Sequence, residues 1–323
     1  MPWVRNTKPK KMISLALGKP FLEFPVEVFV EKVTDSLIEV MERQKSRGVI
    51  FGASGGVDSL VSAALCLKSR EKINMWRVVG LQMNDRRVKG ESYNQEIYRG
   101  LGVDLIEKDI TSEAISHEKQ TKMPPRWLTI CLMKFILKYT PIKARRSLIL
   151  AIKDEKASKC VLIHFLRLTL LHRLRIARLC EYAARNDLMV VICANRTEAM
   201  LGYFVEKGID DPKMGAFAPI AGLYKSQVMR TAQFLGLPER AIHQRPSPGF
   251  GGIYDEQIIG PYELVDPVLI GLQLGYSDIQ IAQAICPYGK KRNKKIAFRR
   301  KNPFGIQYVG FIRKLVELNL RKK

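Results

Sequence analysis

A stretch rich in glycine and serine, SGGVDS at 54–59, combines residue types that bind phosphate. It lies between an apolar strand pattern and an apolar helix pattern. The backbone N–H groups of Ser54, Gly55 and Gly56 would therefore lie at a helix start, where free N–H groups and the helix dipole favour an anion. Asp58, in the first turn, could reach a metal ion bound to phosphates. The stretch predicts a phosphate-binding loop; a tight turn with Asp58 as a helix cap is the alternative.

Two charged residues farther along the chain could complete such a site. Glu198 follows an apolar strand pattern, and Lys225 opens a helix pattern. Because ligands of α/β proteins bind outside the carboxyl ends of parallel strands, Asp58 and Glu198 could share a Mg²⁺ ion that bridges phosphates. Lys225 would bring a compact positive charge to the same phosphates. Alternatively, Glu198 is only the N3 residue of a capping box opened by Asn195, and Lys225 is a solvated helix residue.

The elements that must position these residues alternate along the chain. Helix patterns cover 26–41, 58–70, 91–102, 172–186 and 223–236, and strand patterns cover 48–53, 77–83, 103–110 and 187–195. This alternation predicts an α/β fold, with a parallel sheet flanked by helices. The basic, proline-punctuated stretch 111–171 interrupts the alternation, and we interpret it as an inserted helical segment at the edge of the sheet. From about 260 the chain is predicted to form helices and a basic tail.

Composition limits the classes of partner. The 323 residues carry a formal net charge of +23, which favours anionic partners. The six cysteines form no CxxC pair, which favours a reducing compartment, and we expect a cytoplasmic protein. No uncharged apolar stretch approaches the length of a transmembrane helix. Nucleic acid is a less favoured partner, since the aromatic residues are not interleaved with the basic runs.

The loop resembles a known phosphate-binding motif. SGGVDS differs from both the GxxxxGK[ST] and the GxGxxG patterns. It resembles the pyrophosphate loop of the N-type ATP pyrophosphatases, whose fold is the Rossmann-like fold of the adenine-nucleotide α-hydrolases. Members cleave ATP between its α and β phosphates, adenylate an oxygen atom and let a nitrogen or sulfur nucleophile displace AMP.

Other segments are similar to the NAD synthases within this class. They are VVGLQMND at 78–85, RLR at 173–175, ANRTEAMLGYFVEKG at 194–208, PIAGLYKSQVMRTAQFLGLP at 219–238, the stretch 245–266 with RPSPG followed by YDEQIIGPYELVD, and FRRKNP at 298–303. The resemblance covers roughly 26–110 and 165–310, in the family's order. It implies an N-terminal arm at 1–25, a synthetase domain at 26–286 that contains the insert, and a basic tail at 287–323 that closes the site.

The resemblance also implies roles for individual residues. Catalytic roles fall on Asp58, Lys225 and Arg299, with Arg300 beside it, and Mg²⁺ would be held by Asp58 and Glu198. The ATP-binding residues would be Ser54, Gly55, Gly56, Asp58, Ser59, Met83, Arg173 and Ser247, with Arg175 beside Arg173. The acceptor would be held by Asn195, Lys207 and Asp210.

The implied reaction is amidation of a carboxylate, most simply that of deamido-NAD, with ATP and ammonia as co-substrates. The ammonia would be free or come from a separate glutaminase. A homodimer is expected, with its contact supplied by the apolar face of 26–41 or by part of 111–171. The acceptor side departs from the family pattern: Cys193 replaces a threonine, and the segment 206–220 is longer. Open alternatives are therefore a related ATP pyrophosphatase with another carboxylate acceptor, and an RNA-modifying member. On the insert, Lys143, Arg145 and Arg146 could form a lid or an anionic-substrate site; a peripheral basic surface is the alternative.

Overall fold

A computed structural model describes residue 17 and residues 23–73, 77–87, 95–247, 252–292 and 304–322. Within these residues, four parallel strands form one sheet in the order β3-β2-β1-β4. The strands are β1 (Gly48–Gly52), β2 (Arg77–Asn84), β3 (Asp104–Asp109) and β4 (Leu188–Val191). The predicted parallel sheet is confirmed. β4 is shorter than the strand predicted at 187–195, because the backbone N–H of Ile192 already bonds outside the sheet, to the carbonyl of Phe217.

Helices surround the sheet. They are α1 (Val26–Gln44), α2 (Val57–Lys72), α3 (Gln95–Leu101), α4 (Thr111–Gln120), α5 (Arg126–Tyr139), α6 (Ile142–Lys153), α7 (Lys159–Arg185), α8 (Arg196–Leu201), α9 (Lys225–Phe234), α10 (Glu239–Ile242), α11 (Asp255–Ile258), α12 (Tyr262–Gln273), α13 (Asp278–Arg292) and α14 (Ile306–Arg321). None of the helices within the described residues is long and apolar enough to cross a membrane.

The sheet is buried on both faces because successive side chains of a strand point in opposite directions. Val49 and Phe51 of β1 pack in the core that contains α1, α2 and α9. Ile50 lies between them in the chain and packs in the second core, with the side chains of α7. A central strand that is apolar on both faces is typical of a parallel α/β sheet. Its carboxyl end leads directly into the glycine-rich loop.

A third core lies beyond the sheet. It joins α12, α13 and α14 to Leu201 at the end of α8, and it includes partly buried side chains from α6. The C-terminal helices therefore pack on the elements that carry the candidate site. The domain boundary predicted at 286 falls within α13.

The stretch 111–171 is helical throughout most of its length. It forms α4, α5, α6 and the first part of α7, which continues without a break to Arg185, so that the predicted boundary at 171 falls inside a helix. Arg126 in α5 donates to the carboxylate of Asp85, just beyond β2, at 3.0 Å. The segment predicted at the sheet edge therefore also reaches over the carboxyl ends of the strands.

Candidate active site

The glycine-rich loop is held by a buried tyrosine. Gly55 has φ 77°, a left-handed conformation that glycine adopts without steric cost. Its backbone N–H donates to the hydroxyl of Tyr98 at 3.0 Å, and that hydroxyl shares a second hydrogen bond with Ser59 at 2.8 Å. The hydroxyls of Ser54 and Ser59 are 2.9 Å apart. The loop conformation is therefore fixed before any ligand binds.

An ion pair lies at the mouth of this loop. The Lys225 ammonium donates to one carboxylate oxygen of Asp58, and the Asn195 side-chain amide donates to the other at 3.1 Å. The side chain of Lys225 is only 3% exposed. Burial disfavours its charge, but the carboxylates of Asp58 and Glu198 outweigh this effect and raise its pKa. Lys225 is thus a buried cation, which contradicts the alternative of a solvated helix residue.

Glu198 is a second carboxylate that lies near Asp58 and Lys225. Its backbone N–H donates to the side-chain oxygen of Asn195 at 2.9 Å, so Asn195 both caps α8 and contacts Asp58. Burial and the neighbouring charge of Asp58 raise the pKa of Glu198 well above its usual range. Two carboxylates that repel each other in a polar cleft are suited to a shared cation, and Mg²⁺ prefers oxygen ligands of this kind.

A third carboxylate extends this group. Asp255 is 5% exposed and accepts hydrogen bonds from the hydroxyls of Tyr203 at 3.0 Å and Tyr262 at 2.8 Å. Burial raises its pKa. The Lys225 ammonium lies 5.4 Å from the centre of the Tyr262 ring. This part of the site therefore surrounds Lys225 with polar and aromatic groups that keep its position.

Asp266 joins the two helices that carry the charged residues. It is fully buried and accepts from the Thr197 hydroxyl at 2.6 Å and from the backbone N–H of Ser226 at 2.8 Å. Thr197 in turn accepts from the backbone N–H of Lys225 at 3.0 Å. Burial raises the pKa of Asp266 to about 6. The network sets the spacing between the start of α8 and the start of α9, and thus between Glu198 and Lys225.

These groups open into one cavity of about 1310 Å³. Its lining includes Asp58, Glu198, Lys225 and residues of the loop, together with many apolar side chains from α5, α6 and α7. A cleft with a few convergent charged groups and an apolar wall is the usual form of a small-molecule site. The inserted helices therefore form part of the candidate site.

Most of the predicted ATP-binding residues lie around this cavity. They are Ser54, Gly56, Asp58, Ser59, Met83, Arg173, Arg175 and Ser247. Arg173 donates to the carbonyl of Glu206 at 3.1 Å, and Arg175 donates to the carbonyl of Met83 at 3.5 Å. Gly55 belongs to the same loop. These residues are brought together as expected, and their roles in binding ATP stay predictions.

The predicted acceptor residues are less well grouped. Asp210 lines the cavity and contacts His172 at 3.1 Å between Oδ1 and Nδ1. Asn195 is fully buried, and its amide contacts Asp58 and the backbone of Glu198. Lys207 is exposed, outside the cavity lining. Their acceptor roles stay predictions, with Asp210 the best placed of the three.

The expected cluster on the insert is only partly formed. Arg146 stacks 4.9 Å from the centre of the Tyr308 ring, and burial lowers its pKa. Arg145 lines the cavity and donates to the carbonyl of Leu137 at 2.9 Å. These two arginines therefore bind the protein itself, whereas Lys143 is exposed. The lid or anionic-substrate site on these three residues stays a prediction, although packing against α14 and the end of α5 already occupies Arg146 and Arg145.

Two predicted arginines cannot be placed, and three residues that contact the site were not predicted. Arg299 and Arg300 lie outside the described residues, as does most of the predicted arm 1–25. Sequence reasoning gave no roles to Tyr98, Asp255 and Asp266. The two aspartates stand within the segment compared with the family at 254–266, which was a usable signal. Nothing in the local pattern around Tyr98 indicates its contact with the loop.

Tyr98 provides a test of loop preorganisation. Tyr98→Phe leaves the buried N–H of Gly55 without the acceptor it has here, which we expect to lower the free energy of unfolding by about 1–3 kcal/mol. The loop would also bind a nucleotide less well, so the KM for ATP should rise. Denaturant unfolding and initial rates measure both effects. Tyr139→Phe, at an exposed ring, is the control; equal behaviour of the two variants would contradict the role of Tyr98.

Comparison with known proteins adds independent information. The family model for NAD synthase matches residues 29–129 and 133–303. The NH(3)-dependent NAD(+) synthetase of Coprothermobacter proteolyticus is 29% identical over 265 residues, which are 76% of this chain and 84% of that protein. The enzyme of the same description from Pyrococcus furiosus is 25% identical over 284 residues, with 85% and 94% covered.

Solved structures share the fold. The NH3-dependent NAD synthetase from Campylobacter jejuni superposes with a TM-score of 0.58 at 19% identity, covering 93% of this chain and 96% of that one. NMN synthetase from Francisella tularensis has a TM-score of 0.59 at 19% identity, with 86% and 98% covered. The family match includes the loop, the ends of β1 and β4, and the helix that begins at Lys225. The chain therefore belongs to the NAD synthase family.

Proposed function

We propose that this protein is an ammonia-dependent, AMP-forming ligase that adenylates the carboxylate of deamido-NAD and converts it to the amide of NAD. The observation that carries the proposal is the buried Asp58–Lys225 pair at the mouth of the SGGVDS loop, beside Glu198. Relatives described as NH(3)-dependent NAD(+) synthetases support this reaction. The free thiols of Cys66, Cys131, Cys180 and Cys193 fit the cytoplasm, where we place the protein.

The chemistry needs activation, because a carboxylate does not react with ammonia at neutral pH. A carboxylate oxygen of the acceptor attacks the α-phosphorus of ATP, and pyrophosphate leaves. Ammonia then attacks the acyl carbon, AMP leaves with the bonding electrons of the C–O bond, and the amide nitrogen loses a proton. The loop N–H groups and Lys225 would stabilise the charge on the departing pyrophosphate. The apolar wall from the insert would exclude water from the acyl adenylate.

Mg²⁺ is the cofactor that fits these residues. Asp58 and Glu198 would hold it, since the ion commonly uses one or two carboxylates together with substrate phosphates. The described residues contain no group of three or more His, Cys, Asp or Glu side chains that could hold a metal ion. When bound, the ion would neutralise charge on the phosphates.

The products test the reaction class. Incubation with ATP, deamido-NAD, ammonium and Mg²⁺ is expected to yield NAD, AMP and pyrophosphate in equal amounts, which chromatography and a pyrophosphate assay can measure. Omission of ammonium should stop NAD formation. Formation of ADP and phosphate would contradict the assignment, because it would place the cleaved bond between the β and γ phosphates.

A second candidate has the same chemistry with a different carboxylate acceptor. The departures from the family pattern at Cys193 and in the segment 206–220 motivate this alternative, but the relatives described as NH(3)-dependent NAD(+) synthetases do not favour it. AMP release measured over a panel of anionic carboxylates separates the two. The RNA-modifying alternative is not favoured. The nitrogen source is free ammonia or a separate glutaminase, and rates with ammonium alone distinguish these.

We also propose a homodimer. The apolar face of α1 cannot supply the contact, because Val30, Leu37 and Met41 are buried in the core. The inserted segment can, since α5 exposes Phe135 by 59% and Tyr139 by 62%. Light scattering at micromolar concentration should report twice the chain mass of 36.8 kDa. A monomer at that concentration would contradict the dimer.

A further inference from the structure

The helix that carries Glu198 is too short to hold its own shape. α8 has six residues, and helices of this length are unstable without tertiary contacts. Its first turn is fixed by the Asn195 cap and by the hydrogen bond from Thr197 to Asp266. Its last carbonyl groups have no partners within the helix and must find them elsewhere. The position of Glu198 therefore depends on both ends of α8.

Two side chains from distant elements bind that carboxyl-terminal end. Asn319 in α14 donates from its amide to the carbonyls of Ala199 at 2.8 Å and Met200 at 3.2 Å. Lys153, the last residue of α6 in the insert, donates to the carbonyl of Gly202. We refer to Lys153 and Asn319 together as the α8 clamp. A cation at this end also interacts favourably with the helix dipole.

Both side chains of the α8 clamp approach Gly202. It has φ 60°, the left-handed conformation that commonly ends a helix. A Cβ atom at this position would overlap both the amide oxygen of Asn319 and the ammonium of Lys153. The next residue, Tyr203, donates its backbone N–H to the carbonyl of Glu198 at 2.9 Å and its hydroxyl to Asp255. Movement of Gly202 would therefore disturb two residues of the site.

Lys153 has no other evident role in the site. It lies in the cavity wall, and its ammonium is 5.9 Å from the centre of the Phe204 ring. Its charge is held near Lys322 and Glu206, and burial together with Lys322 lowers its pKa to about 8. Burial and the like charge of Lys322 both disfavour a charged lysine here. The hydrogen bond to the carbonyl of Gly202 is the contact that offsets this cost.

We propose that Lys153 and Asn319 are positioning residues that tie the inserted helix α6 and the C-terminal helix α14 to the end of α8, and so hold the Glu198 carboxylate for binding Mg²⁺ with ATP. The inference rests on the metal role of Glu198 in the proposed function. It gives the insert a part in metal binding: displacement of α6 would release the end of α8.

Metal binding tests this without relying on turnover. Mn²⁺, which electron paramagnetic resonance detects, replaces Mg²⁺ in a titration of the full chain with a non-hydrolysable ATP analogue. Lys153→Met should weaken Mn²⁺ binding about tenfold, the lower range found when groups that orient metal ligands are removed. Lys153→Arg keeps a cationic donor and should restore binding to within a factor of two to three of wild type. Lys156→Met is the matched control, because Lys156 is 76% exposed and pairs with Asp154.

The outcomes separate the clamp from the proposed function. Glu198→Gln should weaken Mn²⁺ binding more than any clamp variant; if it does not weaken it, the metal role fails and the inference with it. If Glu198→Gln weakens binding while Lys153→Met leaves it unchanged, the clamp alone is overturned, even if the melting temperature falls. Should Lys153→Met not fold, Asn319→Ala, which removes the other two donors, carries the same test with the same outcomes.

Discussion

Asp58→Asn is expected to lower kcat/KM for ATP by about 10²–10³-fold, the scale seen when one electrostatic contact to a transition state is lost. The neutral amide keeps one oxygen that can accept the hydrogen bond from Lys225, but its NH₂ group replaces the oxygen that accepts from Asn195, so one hydrogen bond at this partly buried site is lost. The amide is a poor ligand for Mg²⁺ and no longer balances the buried charge of Lys225. The variant should therefore keep its fold but lose catalytic rate and affinity for Mg²⁺.

Steady-state rates over a Mg²⁺ titration, together with near-UV circular dichroism, measure these two quantities separately. The control is Asp35→Asn on α1, where the carboxylate pairs with Lys72 at an exposed site and the Asp35 side chain is 55% exposed. That variant should keep wild-type rates. Full activity of Asp58→Asn in Mg²⁺ would show that this carboxylate is not a metal ligand.

Lys225→Met is expected to be the other severe variant. Removal of the ammonium leaves Asp58 and Glu198 without the cation that faces them, and the pKa of Glu198 should rise further, because Lys225 now lowers it. Pyrophosphate would also leave without a compensating charge. We expect the KM for ATP to rise and kcat to fall, with a combined loss in kcat/KM of about 10²–10³-fold.

Lys225→Arg should not restore the rate, because a planar guanidinium does not fit the position of a compact ammonium that is 3% exposed. Lys68→Met, at an exposed position on α2, is the matched control for loss of a lysine charge. If Lys225→Met raised only the KM, Lys225 would contribute equally to ground-state and transition-state binding, and its role in pyrophosphate departure would be excluded.

Much of the fold could be predicted because its signals are local. The strand pattern at 48–53, the glycine loop after it and the helix pattern at 58–70 follow one another in the order that a βα unit requires. The packing of the insert was harder to predict. Its helices α5 and α6 carry apolar side chains both toward the cavity and toward solvent. The pattern of such helices does not indicate which side packs inward.

The contacts made by individual charged residues were less predictable. Arg145 and Arg146 have the composition of a solvated basic cluster, yet one donates to a backbone carbonyl and the other stacks on Tyr308. A single sequence carries no signal for such pairing, because the partner lies on an element that is remote in the chain. The same is true of Tyr98 and the loop.

The sequence by itself determined the class of fold, the position of the glycine-rich loop, and the three charged residues Asp58, Glu198 and Lys225 that the fold brings to it. Each belongs to a short motif next to a strand or helix end, and parallel strands bring such ends to one edge. Only the tertiary structure decided how these charges are balanced. The contacts of Asp255, Asp266 and Lys153 come from α11, α12 and α6, and their effect depends on burial and on distances of a few ångströms, which form only when the helices pack.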